Sequence, residues 1–308
     1  MTHHLSLRAR GAEMSEMTGL RYAYYPGCSL SSGEKECGIS VRAVFAHMGI
    51  ELVEIEDWSC CGAVHAGVNS ETSTTVLPAR NLALAAAQGF DTIIVPCSGC
   101  YLNLRRASKR VAGDKAVRAM VKEHLREDLA YETDVEVLHP LYALMRDVGL
   151  DAIRALVTHP LSSWQIASYY GCMMTRPKDV FDSAERPVGL DQLAATLGAT
   201  PVDYPMKAKC CGGALALSHS GVTARLTGDV LVSAQAAGAD VTMLACPMCH
   251  TALDTYQRKA ARAVKQPIDM PVLFFTQAMG LAFGLDPDTL GLKRHLVSPE
   301  RALAVAGF

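Results

Sequence analysis

The chain has 308 residues, 50% of them apolar and 19% charged, with a formal net charge of −2. That length allows two domains of ordinary size, and the near-neutral balance excludes the basic footprint of a nucleic-acid or anionic-membrane surface. Apolar stretches such as 82–87 and 272–285 are short or interrupted, so no transmembrane segment is expected.

Residues 1–19 lack the apolar core of a signal peptide and read as a flexible lead-in. A first domain is expected over 20–155 and a second over 156–308. Residues 38–48 carry apolar side chains at helical spacing and stop at Gly49, a fitting C-cap. IELVEIE, at 50–56, alternates as a strand does. A helix over 78–88 closes at Gly89, DTIIVP at 91–96 reads as a buried strand, and an amphipathic helix follows over 101–111. Segments 112–135 and 150–165 read as surface helix and linker. The second half gives the same order: a helix to about Leu197, a strand, Cys210 and Cys211, a helix ending at Gly238, the strand VTMLA, then Cys246, Cys249 and a helix. Strands alternating with helices predict an α/β fold with mainly parallel sheets. Ligands of such sheets gather at the carboxyl ends of the strands.

The chain repeats itself. YAYYPGC ending at Cys28 matches ASYYGC ending at Cys172. HMGIELVEIEDWSCCGA, with Cys60 and Cys61, matches TLGATPVDYPMKAKCCGGA, with Cys210 and Cys211. AAAQGFDTIIVPCSGC, with Cys97 and Cys100, matches SAQAAGADVTMLACPMC, with Cys246 and Cys249. A weaker echo, EVLHPLYALMRDVGL against PVLFFTQAMGLAFGL, closes each half. Two homologous halves follow from the shared order and spacing.

Eleven cysteines in a chain without a secretion signal imply a cytoplasmic location, where thiols stay reduced. There the pattern reads as metal-binding or catalytic. Each half offers one Cys, an adjacent pair, then Cys-x-x-Cys at the start of a helix. Cys-x-x-Cys alone fits zinc, an iron–sulfur cluster or a redox dithiol equally well. Five thiols per half exceed the four that tetrahedral zinc or an ordinary cubane cluster takes, and point to an open cluster. Adjacent cysteines on an extended strand face opposite ways. Gly62 and Gly212, directly after the pairs, supply the turn that brings both to one centre. Two zinc sites with a spare thiol each, in a zinc-stabilised scaffold, are the bland alternative.

GCSL at Cys28, SCCG at Cys60 and Cys61, PCSGC at Cys97 and Cys100, YYGC at Cys172, KCCGG at Cys210 and Cys211, and CPMCH at Cys246 and Cys249 carry a family resemblance. From about residue 20 to 285 the chain resembles the CCG-domain proteins, and within them the B-type subunit of heterodisulfide reductases and their bacterial relatives. The resemblance implies two pseudo-twofold related CCG domains, each a small mainly parallel sheet flanked by helices. It implies two non-cubane [4Fe-4S] clusters, one on Cys28, Cys60, Cys61, Cys97 and Cys100 and one on Cys172, Cys210, Cys211, Cys246 and Cys249. The clusters would face each other across a cleft in which a disulfide is cleaved or formed. The sulfur substrate that the resemblance implies would be a small molecule or a protein-bound lipoyl group. No ferredoxin-type cysteine run and no Gly-x-Gly-x-x-Gly is present, so electrons are expected from other polypeptides of a complex: a C-type iron–sulfur subunit, itself fed by an A-type flavoprotein subunit. An electron-transfer subunit of a lactate-, glycolate- or quinone-linked oxidoreductase is the alternative reading.

Other residues have plainer expectations. Cys37 has no counterpart in the second half and is expected to be buried as a small apolar residue. His65 and His219 follow the two Cys pairs and are weak proton-donor candidates, more simply surface or structural. His250 is expected to bond a sulfur or cap its turn, and Trp58 to pack. Lys207 and Lys209 are read as a solvated loop or as attraction for an anionic substrate tail.

Overall fold

The computed structural model describes residues 19–63, 70–127, 129, 135–175 and 182–308. Its first half contains β1 (Arg21–Tyr24), α1 (Gly27–Ser31), α2 (Lys35–His47), β2 (Glu51–Glu54), α3 (Glu71–Ala87) and β3 (Thr92–Ile94). These are followed by α4 (Ser98–Gly113), α5 (Lys115–His124), β4 (Glu136–Leu138), α6 (Pro140–Ala143) and α7 (Leu150–Ala155). The second half repeats the plan with β5 (Gln165–Tyr169), α8 (Gly171–Thr175), α9 (Gly189–Thr196), β6 (Thr200–Pro201), α10 (Ser220–Ala236) and β7 (Val241–Leu244). It ends with α11 (Pro247–Thr255), α12 (Gln257–Val264), β8 (Val272–Phe274), α13 (Phe275–Ala282) and α14 (Glu300–Ala306).

Two four-stranded sheets result, ordered β2-β1-β3-β4 and β6-β5-β7-β8, and every pairing is parallel. In the centre, Tyr24 pairs with Ile94 and Tyr169 with Leu244. The parallel arrangement explains the apolar runs of β3 and β7, because helices cover both faces and Ile93, Ile94, Met243 and Leu244 are fully buried. Each half thus carries a fourth strand, β4 or β8, in the segment that the sequence showed only as an echo. Helix α3 begins seven residues before the expected Pro78, because the Ser70 side chain accepts from the Ser73 amide and caps the helix there. Pro78 sits inside the helix with its ring buried.

The halves exchange contacts reciprocally. Helix α2 of the first packs on α13 of the second, where Ser40 Oγ and Thr276 Oγ1 lie 2.7 Å apart in a buried bond. The corresponding α9 of the second packs on α7 of the first. One apolar core runs through both sheets, and a smaller one lies among α3, α4 and α5. The pairing fixes the carboxyl edges of the two sheets against each other.

Candidate metal centre

Every cysteine of the two sets lies just beyond a strand. Cys28 is in α1 after β1, the pair 60–61 follows β2, and Cys97 is the N-cap of α4 after β3, with Cys100 in its first turn. Cys172, the pair 210–211, Cys246 and Cys249 occupy the same stations after β5, β6 and β7. In parallel sheets that edge gathers ligands, and the N-termini of α4 and α11 favour thiolates there.

The strands bring each quintet together. Cys28 and Cys60 sulfurs are 4.0 Å apart and Cys61 and Cys100 are 3.3 Å apart. Cys97 is hydrogen-bonded to Cys100. In the second set Cys211 and Cys249 are 3.5 Å apart, Cys172 bonds Cys210, and Cys246 bonds Cys249. These separations are far wider than the ~2.05 Å of a disulfide, and no disulfide joins any of the eleven cysteines. The two sets also meet, since the Cys97 and Cys246 side chains are hydrogen-bonded to each other.

Backbone conformation is specialised where the thiols turn inward. Gly62 and Gly212 have φ of +86° and +80°, in the left-handed region anticipated after each pair. The Gly212 amide donates to Cys210 Sγ at 3.4 Å and the Gly213 amide to Cys211 Sγ at 3.3 Å. Gly27 and Gly171 have φ of +69° and +67°, and a Cβ on either would stand 3.1 Å from the sulfur of Cys100 or Cys249. Both positions therefore favour glycine for their left-handed backbone, and the nearby sulfur leaves a Cβ little room.

Electrostatics divides each set into charged and neutral thiols. A hydrogen bond from Cys100, with help from the Ala63 amide and Asn103, holds Cys61 down to about 6 against burial. Hydrogen bonds from Cys249 and Cys97 likewise hold Cys246 below the ordinary thiol range. Hydrogen bonding to Cys210 and burial push Cys172 up. Cys61, Cys97, Cys100, Cys211, Cys246 and Cys249 are buried while Cys28, Cys60 and Cys210 reach the surface, and thiols clustered this closely cannot all ionise without a compensating cation. A soft metal centre would supply one, and ten convergent, disulfide-free thiols suit it.

A cavity of about 350 Å³ opens on the first set. Cys28, Cys61, Cys97 and Cys100 form one wall, Arg106 and Arg110 of α4 stand on another, and Met173 and Met248 reach in from the second half.

Several residues hold the loops. Tyr25 and Tyr169, each three residues before the first cysteine of its set, donate to the carbonyls of Ser59 and Lys209 at 2.8 and 2.6 Å. Those carbonyls directly precede the Cys pairs, so each tyrosine ties one strand end to the next. Asn81 accepts from the Ser59 amide and donates to its carbonyl, both at 2.9 Å. Asn103 donates to the Ala63 carbonyl at 2.9 Å and approaches Cys61 Sγ at 3.6 Å. The matched offset of the tyrosines was visible in the repeat; the asparagines left no such signal.

The remaining candidates fall as follows. Cys37 is 3% exposed within the core, and burial pushes its thiol up. Trp58 packs edge-on against Tyr25 and donates to Glu54. His65 lies outside the described residues. His219 is exposed, and its ring bonds the Ser218 hydroxyl at 3.0 Å. His250 neither bonds a sulfur nor caps its helix. One residue past Cys249, it points away from the set and meets Glu34 of the first half at 2.7 Å and His295 at 3.0 Å, stacked on Phe274. Lys207 is not a solvated loop residue, for it is paired with Asp191 and Asp203 at 3.0 and 3.1 Å with only 16% of its side chain exposed. Lys209 is exposed.

A pair of parallel α/β repeats, each presenting five cysteines at its strand ends, defines a twinned cysteine-rich domain protein. Residues 22–105 and 166–254 match the family model of the cysteine-rich domain CCG, and the chain belongs to that family. It is 33% identical to the 8-methylmenaquinol:fumarate reductase membrane anchor subunit of Wolinella succinogenes, over 91% of this chain and 98% of that one. It is 28% identical to the B-type subunit of the ferredoxin/F(420)H(2)-dependent CoB-CoM heterodisulfide reductase of Methanosarcina acetivorans, over 92% and 96% of the two chains. A protein of Archaeoglobus profundus, named as like the B-type subunit of heterodisulfide reductase, is 27% identical over 87% of this chain and 92% of that one. In fold the chain is similar to the crystal structure of a hypothetical protein from Helicobacter pylori, with a TM-score of 0.73 and 18% identity. That match covers 91% of this chain and 52% of the other, so the chain spans about half the length of that structure. Among the described residues no helix is long and apolar enough to cross a membrane.

Proposed function

We propose that the chain is the catalytic iron–sulfur subunit, of the B type, in a heterodisulfide reductase-like complex of the cytoplasm. Cys28, Cys60, Cys61, Cys97 and Cys100 hold one non-cubane [4Fe-4S] cluster, and Cys172, Cys210, Cys211, Cys246 and Cys249 hold the other. When bound, the two clusters supply one electron each, matching the two that a disulfide needs on cleavage. The single observation that carries this reading is the contact between the two quintets through Cys97 and Cys246, beside a cavity that opens on the first.

The chain's own groups account for the rest. The helix N-termini and the amides of residues 212 and 213 stabilise thiolate ligands. Met173 and Met248 give the cavity a soft, apolar wall, and Arg106 lines it beside Arg110, whose charge is paired with Glu71 at 2.9 Å. Electrons are exchanged with a C-type iron–sulfur subunit and through it with an A-type flavoprotein subunit. The test is anaerobic purification with iron analysis, followed by thiol addition. Iron at about eight per chain, an electron paramagnetic signal altered by thiol, and viologen-driven disulfide reduction are expected. Zinc at two per chain without iron rejects the proposal.

The 33% identity to the fumarate reductase subunit favours a second reading, an electron-transfer subunit of a quinone-linked oxidoreductase. Iron-loaded protein that ignores thiols and disulfides but is reduced by a quinol through its partner selects it.

A further inference from the structure

His139 belongs to neither cysteine set, and the repeat does not announce it: the matching position of the second half is Phe274. The ring is fully buried, packed edge-on against Tyr101 and Tyr142 and beside Phe275. Its Nδ1 lies 3.2 Å from the Leu141 amide. An amide only donates, so Nδ1 accepts and carries no proton. The proton is therefore on Nε2, which lies 2.9 Å from the carbonyl of Pro96 and 3.0 Å from that of Ala245. Both are pure acceptors, which agrees with that tautomer. Burial pushes the ring down to about 4, against the pull of the two carbonyls, so it stays neutral near pH 7.

Pro96 precedes Cys97 and Ala245 precedes Cys246. One N–H is thus shared between the entry points of the two Cys-x-x-Cys turns, one from each half. Ser98 Oγ adds a weaker donation to the same Ala245 carbonyl at 3.4 Å. Packing enforces the close approach: a Cβ on Gly99 would stand 3.3 and 3.4 Å from the sulfurs of Met173 and Met248.

We propose that His139 is a positioning residue that locks the two Cys-x-x-Cys turns in mutual register and thereby sets the separation between the two metal centres. The inference rests on the reading that both quintets hold iron, and the wild-type iron content reports on that reading independently. The test compares His139→Gln, whose amide keeps a donor and an acceptor, with His139→Leu, which has neither. Iron and sulfide per chain are measured, together with paramagnetic spectra through a full redox titration. Wild type and His139→Gln are expected to share a spectrum broadened by interaction between the two centres. His139→Leu, at unchanged iron content, is expected to show the sum of two isolated signals, the signals that the singly loaded Cys61→Ser and Cys211→Ser proteins display. A wild-type interaction that survives in fully loaded His139→Leu overturns the proposal, as does a wild-type spectrum with no interaction. If His139→Leu loses iron altogether, a loaded His139→Gln with the wild-type spectrum supports the donor role, and a His139→Gln equally depleted overturns it.

Discussion

The first and second halves carry five thiols at the same strand edges but surround them differently. Where the first has Gly99 inside Cys-x-x-Cys, the second has Met248, and the methionine sulfur packs against the glycine across the interface. In the first, the Asn103 amide braces Cys61 and the Ala63 carbonyl; in the second, Thr223 and Thr227 hydroxyls brace the carbonyls of Gly212 and Cys211 at 2.9 and 3.2 Å. The histidines are exchanged as well. Tyr101 follows Cys100 and His139 follows β4, whereas His250 follows Cys249 and Phe274 closes β8. Ligand geometry is therefore duplicated while hydrogen bonding and packing are individual, and those are the levers that tune a cluster. Two equivalent sets of thiols with unequal surroundings follow from one repeated scaffold.

The largest expected effect probes the equivalence. Cys61→Ser and Cys211→Ser should each lower iron from about eight to about four per chain, each abolishing a different paramagnetic signal. Loss of all iron from either variant shows that the sites are interdependent and breaks the comparison.

Acidification distinguishes the two histidines. His139 is pushed down to about 4 in the folded chain from an ordinary value of 6.5, chiefly by burial. The unfolded state then binds the extra proton first, so the stability linked to His139 is fully present above pH 6.5 and is lost as pH falls toward 4, by about 3 kcal/mol. For His250 burial opposes charge, but Glu34 outweighs it and the value is raised. Its contribution is present below pH 6.5 and declines as pH rises. Denaturant titrations of His139→Gln should show a shallower loss between pH 6.5 and 4 than wild type, whereas those of His250→Gln should lack the decline that wild type shows as pH rises above 6.5.

Gly27→Ala and Gly171→Ala should each cost about 1–2 kcal/mol for the left-handed backbone, beyond any clash with the sulfur 3.1 Å away. Thermal unfolding should show similar losses for the two; a loss in one half alone indicates that only one quintet is tightly organised. The smallest effect is expected from Asn103→Ala. Removing its bonds should cost about 1 kcal/mol and shift the midpoint potential of the first centre while leaving the second in place, as read by a redox titration.

Much of the site was legible because ligand chemistry leaves a local trace. Spacing, helix-starting Cys-x-x-Cys and glycines after the pairs are all short-range features, and the repeat doubled them. Four-stranded sheets were not, since β4 and β8 are three residues long and their partners β3 and β7 lie far off in sequence. The start of helix α3 is hidden in the sequence because Pro78 looks like a first-turn proline, while the true cap, Ser70, sits among other hydroxyl residues. His250 was unreadable for a different reason: its partner Glu34 is 216 positions away in the other half. His139 is the same kind of case, for its acceptors are 43 and 106 residues distant.

The most direct test is an iron-edge anomalous difference map from crystals of anaerobically purified protein. Two compact iron centres should appear, one within bonding distance of Cys28, Cys60, Cys61, Cys97 and Cys100, the other of Cys172, Cys210, Cys211, Cys246 and Cys249. A single metal peak per half that takes four of the five sulfurs and scatters at the zinc edge contradicts the account.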